Sequence, residues 1–281
     1  MKKLVQAAPL WALLSTAACA ASFTPVAVSG YNYDGIVEHT AVPPYSSAAQ
    51  SLDGPSNNDA LFEIGLPSAT AGGLPQGGLF NFTTNGNTYS FQLGPYGNNN
   101  LLRANPSGAL TLTTPAKFTI MAVLGFATQN NFGAGSTELV GDATLHFSDG
   151  SSTVYGRAID LSDWQAASPL NPNVVTAAEG GMVNIAAGTA AAAFEATPGF
   201  PKLYVSLVTL TVGDAAKNVT SVTIGNFPLG GNTFQFIMAL GGFNPPAPPP
   251  IVPALSGWAL AALAVLLFAA GAAALRPFRR A

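Results

Sequence analysis

The chain has 281 residues, of which 48% are hydrophobic and only 8% charged, with ten Lys and Arg against thirteen Asp and Glu. Two of the bases precede residue 4 and three follow residue 275, so residues 21–243 carry five bases and all thirteen acids, a net charge of about −8. Such a surface disfavours nucleic acid and anionic glycans as partners and suits neutral glycans or divalent cations, and a single cysteine excludes a disulfide framework.

In chain order, Lys2 and Lys3 precede an apolar run from Leu4 to Ala18 and the small residues Ala18 to Ser22. This is the grammar of a secretory signal peptide, here residues 1–20, with cleavage after Ala20 or Ala21 removing Cys19. A lipid-modified Cys19 is the alternative, weakened by Thr16 at the position where a lipobox has leucine. Residues 21–243 are then one exported domain that needs an ordinary hydrophobic core.

Within that domain, short β-rich runs bounded by Gly, Asn, Pro and Ser predict about ten strands. The first half holds Leu61–Leu66, Leu79–Thr83, Thr88–Leu93, Ala109–Thr113 and Phe118–Phe126. The second holds Ala143–Ser148, Ser152–Arg157, Leu203–Val212, Val219–Ile224 and Thr233–Leu240. Tyr89, Phe91 and Leu93 alternate with polar residues, as do Val208, Leu210 and Val212, so one face of each strand is buried. Asp149-Gly150 supplies a tight hairpin turn. The pattern predicts an all-β fold, an antiparallel β-sandwich of jelly-roll type, flanked by an N-terminal signal helix and one C-terminal transmembrane helix. The alanine-rich stretch from Ala186 to Ala196 favours a short surface helix by propensity.

Candidate sites are sparse. No nucleophile elbow, metalloprotease motif, phosphate-binding loop or EF-hand spacing occurs, and His39 and His146 are read as structural. Carboxylate pairs such as Asp160 with Asp163, or Glu38 with Asp59, are too easily found among thirteen acids to indicate an enzyme. Asp53, Asn57, Asn58 and Asp59 form an oxygen-rich loop of the kind a structural Ca²⁺ takes, or equally an Asx-turn loop; no other cofactor is expected. For a neutral sugar, an aromatic platform with amides and carboxylates beside it is needed. Trp164 with Asp160 and Asp163 is one candidate, and Tyr96 with Asn98, Asn99 and Asn100 another; core packing and turn formation are the competing roles.

After the domain comes a Pro-rich linker, residues 244–253, that reads as an extended polyproline spacer. Residues 254–275 are 22 positions without a charge, long enough as a helix to span a bilayer, and residues 276–281 form a basic tail. Arg276, Arg279 and Arg280 set that tail on the cytoplasmic side.

Val252, Pro253, Ala254, Leu255, Ser256 and Trp258, followed by the apolar run and the arginines, resemble the IPTL-type C-terminal sorting tail of exosortase substrates. Val252, Ala254 and Gly257 depart from that family's usual Ile, Thr and Glu. The resemblance implies a form held in the inner membrane and then cut by an exosortase-like membrane protease, with delivery to the cell surface or outside the cell. Through Gly73–Phe80, Phe91–Leu102, Leu145–Ser152, Asp163-Trp164 and Lys202–Val212, the domain is similar to a galactose-binding-like jelly roll, which implies a fold and no particular ligand. The expectation is a surface-sorted, non-enzymatic protein that binds a neutral polysaccharide. The alternatives are a self-associating matrix protein and, more distantly, a polysaccharide-active enzyme.

Overall fold

The computed structural model describes residues 20–69, 72–128, 139–164, 175–178, 181–190, 201–227, 234–245 and 265–267. Met1–Asn244 and Pro245–Ala281 form two separate units. The described residues of the first unit are mainly β. Its early strands are β1 (Thr24–Val26), β2 (Val28–Ser29), β3 (Ile36–Val37), β4 (Asp59–Phe62), β5 (Leu79–Thr84), β6 (Asn87–Gln92), β7 (Leu102–Arg103), β8 (Ser107–Ala116) and β9 (Ile120–Thr128). Its later strands are β10 (Leu139–Phe147), β11 (Ser152–Leu161), β12 (Val175–Ala178), β13 (Val183–Asn184), β14 (Thr189–Ala190), β15 (Lys202–Thr209), β16 (Val219–Gly225) and β17 (Phe234–Phe243). Two four-residue helices, α1 (Gly54–Asn57) and α2 (Val212–Ala215), interrupt them.

Two large antiparallel sheets dominate. One is ordered β1-β17-β9-β15-β12, with β7 also on β17; the other is ordered β11-β10-β16-β8-β2. A small sheet, β14-β13-β4-β3, contains a parallel pair, β3 with β4, and β5 with β6 forms a separate hairpin. Strand β9 lies between β15 and β17 and is buried on both faces, which its sequence permits because nearly every residue is apolar. Met121, Val123 and Ala127 point into a core shared with Leu110, Leu145, Val222 and Ile224 of the five-stranded sheet. Ala122, Leu124 and Phe126 point the other way, into a second core with Phe80, Tyr89 and Phe91 of the β5–β6 hairpin. The strand period of two thus feeds two apolar layers from a single strand.

Leu203–Val212 is not one strand throughout. Strand β15 stops at Thr209, and Thr211 accepts a hydrogen bond from the Asp214 backbone N–H at 3.2 Å, capping α2. At Ala186–Ala196, Thr189 and Ala190 pair with β13 instead of forming helix, so pairing overrides alanine propensity there; residues 191–196 lie outside the described set. The Asp149-Gly150 hairpin turn is present, with Gly150 at φ 82° and the Asp149 carboxylate accepting from the Ser151 N–H at 2.9 Å.

In the second unit only Val265, Leu266 and Leu267 are described, and they are helical and exposed. Among the described residues no helix is long and apolar enough to cross a membrane. The signal segment through Cys19, the sorting motif from Val252 to Trp258, and Arg276, Arg279 and Arg280 all lie outside the described residues.

Candidate functional site

An open cleft of about 690 Å³ lies between the start of the domain and the turns flanking the β5–β6 hairpin. Tyr31, Glu38, Glu63, Gln92, Pro95 and Tyr96 give it its chemical character. Glu38 follows β3, Glu63 follows β4, and the parallel pairing of those strands sets both carboxylates at the same end of the small sheet. Glu63 is buried, and its Oε2 accepts from the His39 backbone N–H at 2.9 Å and meets His39 Nδ1 at 2.5 Å. Glu38 Oε2 is buried and has no hydrogen-bond partner among the described residues. Such an oxygen is an acceptor waiting for a donor.

The opposite wall depends on two glycines. Gly77 and Gly78 adopt φ of 75° and 73°, which lets the Gln92 amide donate to the Gly77 carbonyl at 2.9 Å. A Cβ on Gly78 would sit 2.9 Å from that amide nitrogen. Tyr96 donates to the Pro75 carbonyl at 3.0 Å and Tyr31 to the Met238 carbonyl at 2.8 Å, so each ring is fixed by its own hydroxyl. Burial raises the Tyr31 phenol's pKa far above its usual range, keeping it neutral. Among the described residues no Lys or Arg lines the cleft. It therefore presents acceptors and ring surface, the complement of a neutral molecule rich in hydroxyl groups.

The residues around Tyr96 divide by role. Asn98 and Asn99 are exposed, whereas Asn100 is fully buried. The Asn100 carbonyl accepts from the Gly35 N–H at 2.9 Å, and its amide donates to Asp34 at 2.7 Å and to the Asn98 carbonyl at 2.9 Å. Asn100 thus clamps the Tyr96 loop to the segment entering β3. Asp34 beside it is pushed up to about 6 by burial, with Glu38 adding to the rise and the Asn100 amide opposing it.

Trp164 lies elsewhere. It is fully buried, stacks on Phe126 at 5.4 Å, and belongs to the second apolar core. It offers no exposed ring face to a sugar. Asp160 and Asp163 are also buried; Tyr204 donates to the Asp163 carbonyl at 2.7 Å, and Ser206 Oγ accepts from the Asp160 N–H at 2.9 Å and donates to its carbonyl at 3.0 Å. The backbone of this segment is further tied to Ala127 of β9 and to the Lys202 N–H that opens β15.

In the oxygen-rich loop, Asn57 Nδ2 donates to Asp53 Oδ2 at 2.8 Å, and Asn58 takes a left-handed conformation with φ 56° that closes α1. Asp59 begins β4 and is pushed up to about 6 by burial and by the Asp53 charge. The two carboxylates are close enough to interact, but among the described residues no group of three or more His, Cys, Asp or Glu gathers in a way that could hold a metal.

Sequence reasoning missed Glu38 and Glu63 as a pair in one cleft. The one legible signal was Glu63 inside the apolar run Leu61–Leu66, where a charge needs a reason. No family model, curated protein or solved structure matches this chain.

Proposed function

We propose that this chain is an exported, surface-sorted, non-enzymatic β-protein whose Glu38–Glu63–Tyr96 cleft binds a neutral glycan. The observation that carries the reading is Glu38 Oε2, a buried acceptor with no hydrogen-bond partner among the described residues, in a cleft with aromatic and amide walls whose described lining holds no Lys or Arg. A sugar hydroxyl that draws the Glu38 carboxylate round into the cleft would supply the missing donor, and Tyr31 and Pro95 would take the ring's apolar side, with Tyr96 buried behind them as support. A volume of about 690 Å³ suits a few sugar units.

The fold reading is a jelly roll. Taking β1, β8, β9, β10, β11, β15, β16 and β17 as the eight main strands, the first, eighth, third and sixth neighbour one another in one sheet, and the second, seventh, fourth and fifth in the other. That interleaving supports two nested Greek keys. Export, membrane insertion of residues 254–275 and trimming by an exosortase-like protease rest on the sequence of the two ends.

The test is a neutral-glycan array followed by calorimetry on the strongest hit. Glu38→Gln should weaken binding about tenfold or more, because a carboxylate acceptor is exchanged for a weaker one, while leaving the melt nearly unchanged. Trp164→Ala should act oppositely, costing about 3–5 kcal/mol of stability by opening the core. Binding indifferent to Glu38→Gln would remove the cleft from the reading, and an empty array would remove the glycan.

A further inference from the structure

Arg103, the last residue of β7, stands in a second pocket of about 540 Å³ that shares no lining residue with the Glu38 cleft. Its walls are Asn32, Tyr33, Gln50, Arg103 and Asn105, with no carboxylate among them. The guanidinium lies 4.0 Å over the Phe234 ring and 5.6 Å from the Tyr33 ring. Its backbone is pinned: the Arg103 N–H donates to Asn32 Oδ1 at 2.8 Å, and Asn32 Nδ2 donates to the Arg103 carbonyl at 3.3 Å. Arg103 nevertheless forms no ion pair among the described residues, and its Nε is buried without a hydrogen-bond partner there.

This is an unusual disposition for a cation in a domain of net charge about −8, where Lys217 already has Asp149 at 3.8 Å and Asp214 at 3.5 Å. Stacking on aromatic faces satisfies the flat of a guanidinium but none of its N–H groups, and it fixes the plane in which those groups point. A group so held is arranged for a planar anion, which accepts two parallel N–H bonds from the guanidinium fork. Gln50 and Asn105 add amides, the usual partners of hydroxyl groups.

We propose that the Arg103 pocket is a subsite for a carboxylate-bearing sugar, a uronic-acid residue occurring singly in an otherwise neutral polysaccharide. The carboxylate meets the guanidinium edge, and the flanking hydroxyls meet Gln50 and Asn105. The charge must be sparse, because the surrounding acidic surface repels a polyanion while one desolvated pair at Arg103 is locally favourable. The sugar class rests on the glycan reading above; the site does not, since none of its residues belongs to the cleft.

The test uses full-length protein in a mild detergent, with a xylotriose bearing one glucuronic acid residue, its methyl ester and inorganic phosphate as probes in calorimetry. The acid should bind about tenfold or more tighter than the ester, the increment expected of a charge-assisted hydrogen bond. Arg103→Met should abolish the difference between acid and ester, and Arg103→Lys should recover only a small part, since an ammonium cannot make the planar fork. If Arg103→Met fails to fold, Gln50→Ala and Asn105→Ala, both at exposed positions, should weaken the acid instead. Equal binding of acid and ester, phosphate displacing the acid at equal concentration, or binding of neither would overturn the proposal. Glu38→Gln on a neutral hit reports on the cleft alone, so the two readings fail separately.

Discussion

Asp34 and Asp59 make this domain's stability depend on pH in an uncommon direction. Burial pushes both carboxyls from an ordinary 3.8 up to about 6, helped by Glu38 in one case and Asp53 in the other. The folded state therefore holds these protons more tightly than the unfolded chain, so stability rises as pH falls from neutrality through about 6 and levels off near 3.8. Asp142 and Asp149 carry the opposite sign, since hydrogen bonds hold them below the usual range and their contribution is lost only in stronger acid. Thermal melts should accordingly peak at mildly acidic pH, and Asp59→Asn should raise the melting temperature at pH 7 while flattening the rise on acidification. A melting temperature that falls steadily from pH 7 to pH 5 would contradict this. Calcium is the complementary probe: a cation between Asp53 and Asp59 would relieve their repulsion, raise the melting temperature at pH 7 and erase the Asp59 dependence, whereas an unchanged melt leaves a hydrogen-bonded turn.

At the scale of elements, β9 is where the most packing converges and where the least tolerance is expected. Gly125 pairs with Ile237 across the β9–β17 register, and a Cβ there would lie 2.5 Å from the Phe236 carbonyl oxygen. Gly125→Ala should cost about 1–3 kcal/mol in urea unfolding by forcing β17 away, whereas Gly97→Ala, with nothing within 4 Å, should be nearly silent. The same strand shows what was readable beforehand. Its nine residues are long enough to show an apolar run, and Tyr89 and Phe91 alternate visibly, so the main strands could be placed from periodicity. Strands of two residues such as β2, β3 and β7 have no period to detect and exist only because a distant partner supplies their hydrogen bonds. The cleft was hidden for that reason: Glu38 and Glu63 meet through the β3–β4 pairing, which no local pattern announces. Trp164 attracted notice by rarity, but only the packing of Phe126 against it determines whether such a ring is a platform or a plug.

For the whole molecule, the proposed reading gives the two ends of the sequence the task of setting where the domain works. If residues 252–258 are a processing signal, protein recovered from the cell surface should end near Val252 to Ser256 by intact mass and lack the apolar segment. Pro253→Ala should leave the full-length chain in the membrane, because the residue before a proline is held extended and an extended backbone is what a protease reads. Neutralising Arg276, Arg279 and Arg280 should disturb the orientation of the apolar segment, because on this reading they hold the tail in the cytoplasm. A wild-type protein that keeps its tail, with Pro253→Ala indistinguishable from it, would leave a plain anchor.

The pairing of β1 with β17 has a consequence for how the chain becomes a protein at all. Thr24 Oγ1 donates to the Gly242 carbonyl at 3.2 Å, joining residues 218 positions apart, and β17 sits between β1 and β9. The first strand made is completed by the last, so during vectorial synthesis β1 and β9 each wait with an open edge until the final segment emerges, only about ten residues before the apolar run. Closure is therefore late, slow and of high contact order. A circular permutant that joins residue 243 to residue 24 through a short linker, with new ends at the Asp149-Gly150 turn, would make this pairing local. It should refold measurably faster than the natural order, while any truncation that stops before Phe234 should not close the sheet at all.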